Sequence, residues 1–228
     1  MLFRLVAIVG IVLLAGSARG ADSTVLKTQK DKVSYSIGLD IGTNFKQQAI
    51  EVDPDVLARG VKDAMSDAKP LLTEEEVQAV MSAFEQEMKE KTIAHNKELG
   101  DKNMKEGEAF LAENKKKEGV VTLPSGLQYK VITAGTGKKP KATDTVTTQY
   151  RGTLIDGTEF DSSYKRNEPA TFPVNGVIKG WTEALQLMKE GSKWQIVVPP
   201  ELAYGEQGAG PIGPNATLIF EIELVSVK

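Results

Sequence analysis

The chain contains no cysteine. Disulfides, thiolate nucleophiles and cysteine-ligated zinc are therefore excluded. A single histidine, His95, lies in a charged, helix-forming stretch. There is no histidine cluster to hold a metal, and a Ser–His–acid triad would have to draw its base from that distant stretch. Aromatic residues make up only 6% of the chain, with two tryptophans, and they concentrate in the C-terminal half. Neither sign of charge dominates: 28 basic against 31 acidic residues give a net charge of −3. That balance argues against nucleic acid as a partner, which calls for a basic patch or stripe. The stretch "GTGKKP" at residues 135–140 lacks the glycine spacing of a phosphate loop and the Ser or Thr after its Lys, so it reads as a solvated turn. An enzyme made from these residues has to work with no cofactor and no covalent intermediate.

Long apolar runs are also scarce. The one present opens the chain, "MLFRLVAIVGIVLLAGSARGAD", with Arg4, an apolar stretch from Leu5 to Ala15, and then small residues. It is shorter than the roughly 20 residues needed to span a bilayer. The pattern is that of a secretory signal peptide over residues 1–20, cleaved after Gly20. An uncleaved N-terminal anchor is the alternative; no Cys follows that could carry a lipid. The chain is therefore expected to be exported. About 208 residues then remain, enough for one large domain or two small ones.

Two halves follow, and composition changes between them at "KKKEGVVTLPSG", where a charge run meets Gly119 and Pro124. Residues 21–118 predict three helices. In the first, Val33, Ile37, Ile41, Phe45 and Ala49 make an apolar face, and Ser34, Gly38 and Gly42 a row of small residues beside it. That row either admits another backbone closely or weakens the helix. The second helix starts at N-cap Asp53 with Pro54 behind it and carries Leu57, Val61 and Met65 on one side. A third is signalled by Thr73 and Glu76 as a capping box, with no proline until Pro124. Unbroken to about Lys117, it would extend about 65 Å. Its start is apolar on one side (Val77, Val80, Met81, Phe84, Met88) and its middle is polar all round, with pairs Glu85–Lys89, Glu87–Lys91, Glu98–Lys102 and Glu113–Lys117. Such a segment is a solvated bridge or, given Gly100 and Gly107, a partly helical linker. These helices offer too little apolar area for a core of their own, so a homodimer through the first half is expected.

Residues 119–228 predict strands. Leu127, Tyr129 and Val131 alternate; so do Trp194, Ile196 and Val198, and Leu218, Phe220, Ile222 and Leu224, with Glu221 and Glu223 on the opposite face. Asp156-Gly157 signals a hairpin. One short helix, "GWTEALQLM", offers Trp181, Ala184, Leu185 and Met188 as its apolar stripe. The fold class is α+β: an all-α N-terminal part with a long connecting helix, then an antiparallel sheet wrapped over one short helix. On residues alone, Trp181 is either ordinary core or the floor of a pocket.

The motifs "YRGTLIDGTEFDSS", "GVIKGWTEALQLMKEGS", "LAYG" and "GPIGPNATLIFEIELVSV" resemble those of the FK-binding-protein (FKBP) family of peptidyl-prolyl cis–trans isomerases. "KVSYSIGLDIGTNFKQQ", "VLARGVKDAMS" and "GEAFLAENKKKEGVVTLPSGLQYKV" resemble its macrophage-infectivity-potentiator (Mip) subgroup, in which the helices dimerise. The resemblance implies an isomerase domain over 119–228 whose apolar pocket takes proline, with Trp181 as floor. It implies walls from Tyr150, Phe160, Phe172, Val177 and Ile178, and a rim completed by Tyr204, Ile212 and Phe220. Tyr150, Asp161 and Tyr204 would be catalytic. Alternation turns Asp161 away from Phe160, yet the family has it at the pocket's polar edge, where Arg166 would pair with it or orient Tyr150. The Ile178 N–H and the Tyr204 hydroxyl would bond substrate carbonyls. Ala170 stands where some members carry an aromatic, which opens the rim. Implied partners are proline-containing polypeptides, macrolide inhibitors of the FKBP class and a second copy of the chain. Other roles consistent with the motifs are a periplasmic chaperone or a surface factor that binds host proteins through the same pocket.

Overall fold

The computed structural model describes residues 26–66 and 68–228. The expected signal peptide lies outside them. No helix among the described residues is long and apolar enough to cross a membrane. Contacts divide the chain into two compact units, Met1–Thr73 and Glu74–Lys228. The change from helix to sheet near Gly119 therefore falls inside the second unit.

The first unit holds α1 (Gln29–Gln47) and α2 (Pro54–Met65). Thr28 caps α1 reciprocally: its hydroxyl accepts from the Asp31 N–H, and the Asp31 carboxylate accepts from the Thr28 N–H. The Asp53 side chain accepts from the Asp55 and Val56 N–H groups, and Pro54 opens α2. Neither helix buries a single residue within the chain. Ile37, on the apolar stripe of α1, is 55% exposed. Among the described residues, nothing lies within 4 Å of where a Cβ at Gly38 or Gly42 would sit. The apolar faces exist as expected, but no described residue covers them.

The second unit begins with α3 (Glu74–Asn114), an unbroken helix about 62 Å long. Glu87–Lys91 pairs at 2.8 Å, whereas Glu113 bonds Lys116, and Lys117 instead lies over the Phe110 ring. Such exposed pairs contribute little. The sequence suggested a solvated middle. From Leu99 to Asn114, however, the helix packs against the loop at residues 213–217 and the start of β2, and Gly100, Gly107 and Asn114 are buried. Asn114 donates to the Gln128 side chain, which in turn donates to the Leu111 carbonyl.

The sheet contains β1 (Val120–Thr122), β2 (Gln128–Thr133), β3 (Thr145–Leu154), β4 (Glu159–Ser162), β5 (Ala170–Pro173), β6 (Lys193–Val198) and β7 (Leu218–Val227). All pairings are antiparallel, in the order β1-β2-β6-β7-β3-β4, with β5 on the same edge of β3 as β4. The alternating positions of β6 and β7 point inward onto α4 (Lys179–Leu187). Trp181, Ala184, Leu185 and Met188 are buried against Ile196, Leu218, Ile222 and Leu224. Strands β1 and β5 were not expected, since three or four residues are too few to establish an alternation.

Candidate active site

A cavity of about 440 Å³ opens at one end of this core, between the start of α4 and the edge strands. Its floor is Trp181, which is only 4% exposed. Three rings meet the indole edge to face or steeply tilted: Tyr150 at 5.1 Å, Phe220 at 5.3 Å and Phe172 at 6.0 Å. Phe160 stands against Phe220 at 5.5 Å. Such pairs each contribute about 0.5–1.5 kcal/mol beyond area burial and hold the rings in fixed positions. The Trp181 indole nitrogen is buried without a hydrogen-bond partner. The floor therefore presents the apolar ring, and not the indole N–H, to the cavity.

Strand β4 explains why Phe160 and Asp161, adjacent in sequence, both line the cavity. Thr153 pairs with Glu159 and Gly152 with Asp161, so Phe160 is the extra residue of a bulge. A bulge breaks alternation and re-aims side chains. The Phe160 ring then lies over Gly152, where a Cβ would come within 2.7 Å of it and 2.9 Å of Phe220. Gly152 thus admits two aromatic walls side by side, a role not read from the sequence. Ser163, also unforeseen, is fully buried and fixes Tyr150: the Tyr150 N–H donates to its hydroxyl at 2.8 Å, and its own N–H donates to the Tyr150 carbonyl at 3.0 Å. The second serine of "FDSS" was the only available signal.

The polar edge is a three-membered network. The Tyr150 hydroxyl donates to Asp161, and Arg166 donates both to Asp161 and, at 2.8 Å, to the Tyr150 oxygen. Arg166 also lies 5.6 Å above the Tyr150 ring. Desolvation, followed by the bond to Asp161, pushes the Tyr150 phenol above its ordinary value of 10.0. Burial alone would raise Asp161, but donors from Tyr150 and Arg166 together outweigh it and hold the carboxyl below 3.8. The phenol is neutral and the carboxylate charged at neutral pH. Opposite this edge, the Ile178 N–H makes no hydrogen bond among the described residues, because Ile178 is the N-cap of α4. Tyr204 lines the mouth and is 41% exposed.

The structure brings together Tyr150, Phe160, Asp161, Phe172, Val177, Ile178, Trp181, Tyr204 and Phe220, and adds Gly176. Arg166 touches the site through the network rather than the cavity wall. Ile212 differs from expectation. It is 6% exposed, belongs to the core cluster, and does not line the cavity. A tight turn at Gly210 and Pro211, closed by two hydrogen bonds between Ala209 and Ile212, folds it inward.

Residues 136–225 match the family of FKBP-type peptidyl-prolyl cis–trans isomerases, and residues 30–131 match the domain found amino-terminal to that isomerase. A protein from Legionella longbeachae named outer membrane protein MIP is 55% identical over 97% of this chain and 95% of its own. The peptidyl-prolyl cis–trans isomerase Mip of Coxiella burnetii is 48% identical over 95% and 94% respectively. Among solved structures, the crystal structure of FkpA from Escherichia coli superposes with a TM-score of 0.68 at 41% identity, covering 89% of this chain and 98% of that one.

Proposed function

The chain belongs to the FKBP-type peptidyl-prolyl cis–trans isomerase family, and from that footing we propose how its cavity turns an X–Pro bond. The activity itself is peptidyl-prolyl isomerisation, with proline-containing polypeptides as substrates. The observation that carries the mechanism is an aromatic, largely apolar box with a fixed Asp161–Tyr150–Arg166 network at its edge.

Rotation about the X–Pro amide must break its resonance, against a barrier of about 18–20 kcal/mol, and takes tens to hundreds of seconds unaided. Water favours the planar, more polar ground state. With the proline ring seated on Trp181, the walls displace that water, and the twisted, less polar amide is relatively favoured. The free Ile178 N–H and the Tyr204 hydroxyl each take a substrate carbonyl and hold the flanking chain bent. As the amide twists, its carbonyl carbon loses the nitrogen lone pair. The Asp161 carboxylate offers a fixed negative charge beside it, and Tyr150, held by both partners, stays a neutral donor. No proton changes hands. Macrolide inhibitors of the FKBP class are assigned to the same box, where they would compete with peptide.

Two wider features complete the reading. The exposed apolar stripes of α1, α2 and the first turns of α3 support a homodimer formed through the N-terminal helices. The pattern of residues 1–20 supports export to the periplasm or cell surface. In a protease-coupled assay on a proline tetrapeptide, the full chain should accelerate isomerisation, and Asp161→Ala should lower kcat/KM by about tenfold or more. Because the Asp161 side chain is 42% exposed, its loss should move the unfolding midpoint by about 4 °C or less. Unchanged turnover in the folded variant would remove Asp161 from the mechanism.

A further inference from the structure

The rim residue Tyr204 is the N-cap of a single 3-10 turn, Gly205–Gln207, which opens the loop, 205–217, that leads to β7. The loop is not held by the sheet alone. Its peptide unit between Pro214 and Asn215 is gripped at both ends. The Pro214 carbonyl accepts a hydrogen bond from Asn103 Nδ2 of α3 at 2.8 Å. The N–H of the same peptide, that of Asn215, donates to the Gly205 carbonyl at 2.8 Å. Gly205 directly follows Tyr204. A single planar group thus transmits the position of α3 to the residue next to the pocket mouth. Asn215 adopts a left-handed backbone, φ 52°, which sets that plane across the gap between helix and rim.

The helix surface is shaped for this contact. Leu99 and Asn103 lie against Gly213, and Gly100 faces Pro214 and Asn215, with a Cβ there only 3.3 Å from each. Two turns beyond Gly100, a Cβ at Gly107 would collide with the Thr217 hydroxyl. Thr217 is buried and precedes the first residue of β7, the strand that carries Phe220. The two glycines that weaken the helix as a sequence are therefore where the loop sits closest to its axis.

The geometry points to Asn103 as a positioning residue: through the Pro214–Asn215 peptide it holds the rim at Tyr204 and so governs how the site grips substrate. This rests on the role given above to the Tyr204 hydroxyl. Asn103 touches no substrate, and its neighbours Leu99 and Gly107 serve the same docking.

The test is a double-mutant cycle on the full chain with a proline tetrapeptide. Asn103→Ala favours helix over Asn, so α3 itself is not harmed. Losing the hydrogen bond should lower kcat/KM about threefold to tenfold, mainly through KM. Asn103→Asp, which keeps the size but replaces the donor with an acceptor, should lose at least as much. In a Tyr204→Phe background the same substitutions should cost less than about twofold, because the group they position is gone. In parallel, the Asn215 amide should exchange with solvent faster in Asn103→Ala than in the parent. Equal losses in both backgrounds, a parent-like Asn103→Asp, or unaltered Asn215 exchange would each overturn the proposal. If Tyr204→Phe alone behaves like the parent, the hydroxyl role fails instead, and the Asn215 exchange by itself decides whether Asn103 holds the loop.

Discussion

Trp181 shows how little distinguishes a pocket floor from a core residue. It is nearly as buried as the leucines around it. What differs is the ring geometry above it and the bulge at Phe160 that leaves the space open. The bulge also decides the fate of Asp161, which simple alternation would have turned away. The network that Asp161 joins makes a pH prediction. Its folded-state pKa lies below 3.8, so its contribution to stability is complete above that pH and is lost as pH falls through the lower folded value. Tyr150 runs the other way: its folded-state pKa lies above 10.0, so its contribution is complete below pH 10.0 and is lost as pH rises through the higher value. Neither group changes charge between about pH 5 and pH 9. A profile of kcat/KM against pH should be flat over that interval, and a bell centred near neutrality would mean that a proton is transferred after all.

Helices and strands differ in how much of them could be read in advance. The strands β6 and β7 and the helix α4 were legible because a one-sided apolar pattern has one explanation, a shared core. The docking of α3 was not, because apart from Leu99 its contacts are made by glycines, two asparagine amides and the helix backbone, which form no apolar stripe. Within the site, the walls were legible as motifs. Gly152 and Ser163 were not, since their work is to leave space and to clamp a backbone, and Ile212 was misplaced because a turn folds it inward. The small-residue row of α1 gives a direct test at this level. On a lone helix, Gly38→Ala stabilises by about 1 kcal/mol. Among the described residues nothing opposes the added methyl. If the second copy lays its backbone along that row, the methyl collides with it instead. Sedimentation equilibrium on residues 21–228 should therefore find a dimer, and Gly38→Ala should weaken it. A monomeric parent, or a variant dimer of equal strength, would contradict that packing.

The complete chain joins a unit with uncovered apolar faces to a unit with a finished core and a pocket. The joint is not at the change from helix to sheet. Residues 99–114 dock on the strand-bearing part, through Asn114 on Gln128 and Asn103 on Pro214, and all of α3 belongs to the second unit. A dimer built on the first unit would present two pockets to one refolding chain, and linking sites in this way can raise avidity about 10²–10⁴-fold when the geometry fits. All of this depends on the pocket performing the isomerisation itself. Exchange spectroscopy on a proline peptide reads that step without a coupling protease, since it reports the cis–trans interconversion rate and the cis fraction together. The full chain should speed the interconversion while leaving the cis fraction untouched, and Trp181→Ala, which removes the floor, should abolish most of that acceleration in a protein that remains folded. A folded Trp181→Ala variant that accelerates the exchange as well as the parent would contradict the assignment of catalysis to the aromatic box.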